Sequence, residues 1–259
     1  MKQSKKTIAQ RRKNILLMVK DKKYITVEDL AQNTGVSLPT LRRDLTYLDK
    51  KGLLKRKHGG ASAIDSKVVT ESMIEKKKEL IAKTAASLVE NDDIIFINSS
   101  TTSIKTIAYI EPSKYISVIT NNGKAIDLHT LPNIKLILTG GETRQPKAAM
   151  TGEFALKNIQ NVQANKAILG ASGFHIKEGI TTANIDEVAI NKAMIEASKE
   201  VILCVDSSKL NHISAFISGI SSDIDTLITD CDADKNFIKS LELMGIRCIQ
   251  VDIRDYYGI

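Results

Sequence analysis

Val36-Ser37-Leu38-Pro39-Thr40-Leu41-Arg42-Arg43-Asp44-Leu45-Thr46-Tyr47-Leu48 decides the reading of the first sixty residues. Leu41, Leu45 and Leu48 recur at i, i+4 and i+7, the spacing of one buried helix face. At about 100° per residue, Arg43 stands nearly opposite that face, with Pro39 and Thr46 beside it and Arg42, Tyr47 and Thr40 on its flanks. Ser37 is placed to cap the helix, and Pro39 falls in its first turn, where a missing N–H costs little. Upstream, Thr26 is placed to cap a shorter helix, with Glu28 and Asp29 in its first turn, and Gly35 ends it by permitting a left-handed residue. A further helix is expected over 8–20, with Ile15, Leu16 and Val19 on one side. Downstream, Gly52 ends the arginine-bearing helix. Leu53-Leu54-Lys55-Arg56-Lys57-His58-Gly59-Gly60 then reads as a β-ribbon wing, apolar at its base and cationic at its tip.

The charge distribution supports a polyanionic partner for this part alone. Residues 1–60 carry 16 Lys and Arg against 5 Asp and Glu, a net of +11, whereas residues 61–259 carry 21 against 25, a net of −4. An exposed helix with adjacent arginines suits the major groove of double-stranded DNA, where arginine pairs bidentately with guanine and hydroxyls hold phosphates. The expected DNA contacts are Ser37, Thr40, Arg42, Arg43, Thr46, Tyr47, Arg56, Lys57 and His58. His58 reads as a wing residue near phosphate, not as a metal ligand or catalyst.

No apolar stretch reaches the length of a membrane span, and the polar, cationic start of the chain is followed by no signal-peptide core. A cytoplasmic, soluble protein is expected. Cys204, Cys231 and Cys248 are far apart, form no CxxC pair, and read as reduced, buried thiols. No metal and no cofactor are expected.

Residues 62–75 are small, polar or charged without strong period and are read as a linker. It separates a DNA-binding domain, 1–61, from an α/β domain, 76–259. Helix is expected from about 80, with Ile81, Ala85 and Leu88 on one side. Apolar runs at 94–97, 116–120, 134–138, 167–169, 201–205, 226–229 and 248–251 read as strands. Helical stretches at 102–109, 124–129, 153–158, 186–198 and 235–244 separate several of them. This alternation predicts a mostly parallel sheet covered by helices, with a ligand beyond the carboxyl ends of its strands. Hydroxyl- and glycine-rich turns follow those ends, foremost Asn98-Ser99-Ser100-Thr101-Thr102-Ser103, which suits a phosphate.

The segments Val36-Ser37, Thr40 to Leu45, Leu48, Gly52 and Arg56-Lys57-His58-Gly59-Gly60-Ala61 closely resemble the signature of the DeoR family of bacterial transcriptional regulators. Leu41 stands where the family usually has Ile. The resemblance continues through Thr120-Asn121, Gly140-Gly141, Thr151-Gly152, Gly170-Ala171-Ser172-Gly173, Gly179, Glu187, Asp206-Ser207-Ser208-Lys209 and Thr229-Asp230. The family's sensor domain is similar to the ribose-5-phosphate isomerase and acyl-CoA transferase fold. The resemblance thus implies an α+β two-domain chain, a winged helix-turn-helix followed by an α/β sensor domain. It implies a regulator, a repressor of sugar-metabolism genes, controlled by a phosphorylated sugar. The effector residues so implied are Ser99, Ser100, Thr101, Thr102, Asn121, Gly140, Gly141, Glu187, Asp206 and Lys209. The family usually has Asp at Asn98, Gly at Ser100 and Asp at Asn165. A homo-oligomer, dimer or tetramer, is expected, because one recognition helix reads few base pairs. The competing reading is an isomerase-like enzyme carrying a DNA-binding domain, with Glu187 or Asp206 as base and Lys209 as electrophile.

Overall fold

A computed structural model of the chain describes residues 5–63, 66–128, 132–144 and 148–252. They fall into two compact units. The first runs to Lys76 and takes in Asp252, and the second is Lys77–Val251.

The first unit contains α1 (Lys5–Lys22), β1 (Tyr24–Thr26), α2 (Val27–Thr34), α3 (Leu38–Lys50), β2 (Lys55–Lys57) and β3 (Gly60–Ser62). The Thr26 hydroxyl accepts the Asp29 N–H at 3.0 Å, and Gly35 closes α2 at φ 64°. Leu41, Leu45 and Leu48 pack with Ile15, Val19, Leu30 and Leu54 in one core. The expected Ser37 cap takes a different form. Its side chain caps no backbone N–H and instead pairs with the Thr40 hydroxyl at 3.0 Å.

The wing is the antiparallel pair β2–β3, and β1 adds a third strand in the order β1-β3-β2. Sequence periodicity misses β1, since three residues are too few to show alternation. Its presence explains Gly60, where a Cβ would lie 2.4 Å from the Ile25 carbonyl oxygen.

The helix α4 (Ser66–Ser87) follows, and the unit boundary at Lys76 and Lys77 lies within it. Most of the stretch read as linker, 62–75, is therefore helix, and Ser62 is the last residue of β3.

The second unit continues with β4 (Ile94–Ile97), β5 (Ile116–Thr120), β6 (Ile134–Leu138), β7 (Glu142–Arg144), β8 (Ala149–Thr151), α5 (Gly152–Gln160), β9 (Ala164–Leu169), β10 (Gly173–His175), β11 (Gly179–Thr182), α6 (Asp186–Glu196), β12 (Ser198–Cys204), β13 (Phe216–Gly219), β14 (Thr226–Asp230), α7 (Lys235–Leu243) and β15 (Arg247–Val251). Seven strands form one sheet, ordered β15-β14-β12-β9-β4-β5-β6, with every pairing parallel.

Both sheet faces are covered. Ile95 and Ile97 pack with Ile81 and Ala85 of α4, while Phe96 between them packs with Ile190 and Ile159 on the other side. This two-sided burial is why the strands read as continuous apolar runs.

Three features depart from the expected helices and sheet. The helices at 102–109 and 124–129 are 3₁₀ turns, Ser103–Tyr109 and Gly123–Asp127, and His129 lies outside the described residues. A β7–β8 hairpin and a three-stranded antiparallel sheet, β10-β11-β13, were not expected. Asn165 uses its side-chain oxygen to accept the Ile94 N–H at 2.9 Å, fixing the start of β4 against β9. Cys204 is buried as expected, but Cys231 and Cys248 are only half-buried.

Candidate DNA interface and effector site

On the first unit, Arg42 and Arg43 of α3 and Arg56, Lys57 and His58 of the wing are all exposed, as is Ser37, while Thr40, Thr46 and Tyr47 are half-buried. Thr46 is engaged within the protein. Its hydroxyl donates to the Arg42 carbonyl at 2.8 Å and accepts from Arg56 Nη1 at 2.9 Å. The Arg56 backbone N–H donates to Asp49 Oδ1 at 3.0 Å. The wing is therefore bound to the helix it flanks, and Thr46 serves as the joint.

Sequence reasoning assigned no role to Asp44, which is buried beside the leucine stripe. It accepts Arg11 Nε at 2.6 Å and Arg12 Nε at 2.9 Å, so a single carboxylate fixes α1 to α3. The guanidinium of Arg12 also lies 3.6 Å from the centroid of the Tyr47 ring. The available signal was an acidic residue next to Leu45 on a helix otherwise facing an anionic partner.

In the second unit the parallel sheet brings the carboxyl ends of its strands to one edge. Chain direction across the sheet reverses between β4 and β9, the topological switch point at which open α/β sheets form their ligand crevice. Asn98, just past β4, spans that point. Its Oδ1 accepts the Gly170 N–H at 3.0 Å and the Ser103 hydroxyl at 2.9 Å. Its Nδ2 donates to the Gly170 carbonyl at 2.9 Å and to Asn191 Oδ1 at 3.1 Å. An ionised aspartate, which only accepts, could not make the last two bonds. Asn191 was missed by sequence reasoning. Its signal is the i+4 spacing from Glu187, which places two polar side chains on the buried face of α6.

The expected effector residues divide by what they already bind. The Ser100 hydroxyl accepts the Thr102 N–H at 3.1 Å and is turned against Gly170, where a Cβ would lie 1.9 Å away. Ser100 therefore organises the loop from inside. Ser99 and Thr102 are buried, and Thr101 is exposed. Asn121 is buried after β5 and donates to the Met150 carbonyl at 3.0 Å, while its Oδ1 has no partner among the described residues. Gly140 and Gly141 have φ of 69° and 107°, and at Gly141 a Cβ would lie 2.4 Å from the Thr151 carbonyl oxygen. Glycine at 141 thus permits the close approach of β8. Glu187 accepts the Thr182 hydroxyl at 2.7 Å, and Asp206 caps a 3₁₀ turn, Ser207–Lys209, by accepting the Ser208 N–H at 3.0 Å.

Lys209 ends that turn, half-buried, and its ammonium has no hydrogen-bond or ion-pair partner among the described residues. Its strand, β12, is two places from β4, so about 10 Å of sheet edge separates the two loops. Lys77 of α4 is engaged at the same edge. Its ammonium lies 2.7 Å from Asp230 Oδ1, 2.8 Å from Asp232 Oδ2 and 3.3 Å from the Ser207 hydroxyl. Two clefts lie elsewhere, at the amino ends of the strands. One, about 510 Å³, is lined by Glu200, Asp225 and Arg247 among others, and one of about 420 Å³ by Lys114 and Lys166 among others. They do not include the expected effector residues.

A family model described as a DeoR-like helix-turn-helix domain matches residues 11–67, and one described as the DeoR C-terminal sensor domain matches residues 74–231. The HTH-type transcriptional regulator YulB of Bacillus subtilis is 34% identical, covering 95% of this chain and 98% of its own. HTH-type transcriptional regulator GolR of Listeria innocua is 30% identical over 92% of this chain and 96% of its own. The glycerol-3-phosphate regulon repressor of Escherichia coli K12 is 32% identical over 85% and 90%. A solved ribose 5-phosphate isomerase A from Methanocaldococcus jannaschii aligns with a TM-score of 0.39 at 18% identity, over 52% of this chain and 54% of that one. Both domain matches and the near-full-length relatives place the chain in the DeoR family of helix-turn-helix transcriptional regulators.

Proposed function

We propose that this regulator is a repressor whose first unit binds an operator through α3 and the wing, and whose second unit binds a small phosphorylated sugar. The observation that carries the second half is Lys209. Its ammonium has no partner among the described residues and stands at the carboxyl edge of a parallel sheet, with the loop that exposes Thr101 about 10 Å along that edge. A phosphate needs a cation and several N–H or O–H donors, since burying it unpaired is prohibitive. Asn121 Oδ1, buried without a partner among the described residues, supplies an acceptor suited to a sugar hydroxyl. The name of the Escherichia coli relative supports a phosphorylated small polyol as the first compound to try.

The protein acts by binding and not by catalysis. The two carboxylates an isomerase reading would use, Glu187 and Asp206, are committed to Thr182 and Ser208. It works as a homo-oligomer, at least a dimer, in the cytoplasm; no described helix is long and apolar enough to cross a membrane. The ligand acts on DNA only through unequal affinity for two domain arrangements, and α4, which runs from one unit into the next, is the element to carry that change.

The test is a thermal shift with glycerol 3-phosphate, glycerol and a panel of phosphosugars, followed by duplex binding with and without each hit. A ligand that binds only the native state raises the melting temperature. If no phosphorylated compound shifts it, or each does so no better than its unphosphorylated form, the effector assignment fails.

A further inference from the structure

We propose that Arg12 of α1 is a DNA-backbone contact, gripping a phosphate on the side of α3 away from the wing. This rests on the reading of α3 as the recognition helix. Around the axis of α3, Tyr47 and Asp44 lie about 40° and 100° to one side of Arg43, and Thr46 about 60° to the other. Arg56 of the wing is bonded to Thr46, whereas Arg12 is bonded to Asp44 and lies over Tyr47. Two arginines from separate elements therefore flank the outer face of one helix. A helix laid in the major groove has a phosphate backbone on each side, with the groove about 12 Å wide.

The local chemistry of Arg12 fits this task. Its Nε is taken by Asp44 and one face of its guanidinium by the Tyr47 ring, so its position and plane are set. Its remaining N–H donors have no partner among the described residues, and its side chain is 18% exposed, so it reaches solvent. A guanidinium held at one nitrogen with its other donors unspent matches the paired oxygens of a phosphate. Asp44 is then a positioning residue, orienting Arg12 while joining α1 to α3. The alternative is that Arg12 serves only that internal join.

Salt dependence separates the two roles. The full chain is titrated by fluorescence anisotropy onto a random-sequence duplex over a series of KCl concentrations, for wild type, Arg12→Gln, Arg12→Met and Arg12→Lys, with thermal unfolding of each alongside. Each phosphate neutralised contributes about 0.9 to the slope of log affinity on log salt. Both neutral variants are expected to bind more weakly and to lose about that much slope, and Arg12→Lys to restore it. Arg12→Met keeps an apolar stem over Tyr47, so a folded neutral variant is in hand if Arg12→Gln unfolds. Neutral variants that melt earlier yet keep wild-type slope and affinity overturn the proposal and leave Arg12 as an internal partner of Asp44. Wild type without any salt-dependent duplex binding would instead sink the recognition-helix reading itself.

Discussion

Lys77 and Asp230 form a 2.7 Å ion pair between α4 and the end of β14, and Asp230 at once accepts the Ser207 N–H at 2.7 Å and its hydroxyl at 2.9 Å. Ser207 opens the turn that ends in Lys209. One buried carboxylate thus ties the helix that crosses the unit boundary to the turn carrying Lys209. Burial opposes the charge on both partners. It is outweighed for Lys77 by the Asp230 and Asp232 carboxylates, which hold its pKa above the ordinary value. For Asp230 it is outweighed by Lys77 and Ser207, which hold its pKa below the ordinary value.

Lys77→Met should destabilise the protein by on the order of 2–3 kcal/mol, because it leaves Asp230 a buried carboxylate with the Ser207 and Asp232 donors but no facing cation. The Asp230 contribution is present above the usual carboxylate range, about pH 4, and is lost as pH falls through its lowered value. The Lys77 contribution is complete below about pH 10.4 and is lost as pH rises through its raised value. Urea unfolding of both proteins across pH should therefore show a constant gap between about pH 5 and 10 that narrows at each end. A gap under about 1 kcal/mol at neutral pH would mean that the pair is replaced by solvent at no cost.

Asn98→Asp should cost about 1–3 kcal/mol at neutral pH, since the new carboxylate faces the Gly170 carbonyl where an N–H₂ group stood. Burial raises the pKa of such a carboxyl, so its penalty should shrink as pH falls toward that value. Asn98→Asp with wild-type stability at pH 8 would show that Asn191 and Gly170 readily rearrange.

The long elements of this fold are legible in the sequence and the short ones are not. The runs 94–97, 116–120 and 134–138 coincide with β4, β5 and β6. Strands β4 and β5 lie inside the sheet and are covered on both faces, which keeps them apolar, whereas β6 at the edge alternates and exposes Lys135 and Ile137. Strands β10, β11 and β13, of three or four residues, mix His175, Thr181 and Ser218 with apolar neighbours and show no usable period. The first half of α4 is hidden by its polar composition. At the site, residue types alone point to the Ser99–Thr102 loop, but only the fold tells which hydroxyls are spent. Ser100 faces inward against Gly170, a residue 70 positions away in the chain, and no local pattern encodes that contact.

Arg42→Ala and Arg43→Ala should each weaken operator binding by about 1–3 kcal/mol if they read base edges, with a smaller effect on random duplex. Both side chains are exposed on α3. Thr46→Val should act differently. It removes the bond to the Arg56 side chain while the Arg56 N–H stays on Asp49, so it loosens the Arg56 guanidinium and should reduce affinity for operator and random duplex alike. Matched-salt anisotropy on both duplexes checks this. If both arginine variants bind operator as wild type does, α3 is not docked in the groove through this face.

Lys209→Met and Thr101→Val test the effector site without disturbing the fold. The Lys209 ammonium has no partner to lose among the described residues, and Thr101 is exposed. Melting temperatures should therefore stay close to wild type. A charge-assisted hydrogen bond contributes about 1.5–3 kcal/mol, so Lys209→Met should weaken the tightest phosphosugar of the screen roughly tenfold to a hundredfold by calorimetry. Thr101→Val, which removes a neutral hydroxyl, should cost about 1 kcal/mol. The unphosphorylated sugar should bind both variants as it binds wild type. Linkage adds a second requirement. If the phosphosugar changes operator affinity by some factor, operator must change phosphosugar affinity by the same factor. In Lys209→Met the ligand concentration needed to alter DNA binding should then rise in step with the calorimetric loss. Equal phosphosugar affinity in all three proteins would remove Lys209 and Thr101 from the site and direct the search to the clefts at the amino ends of the strands.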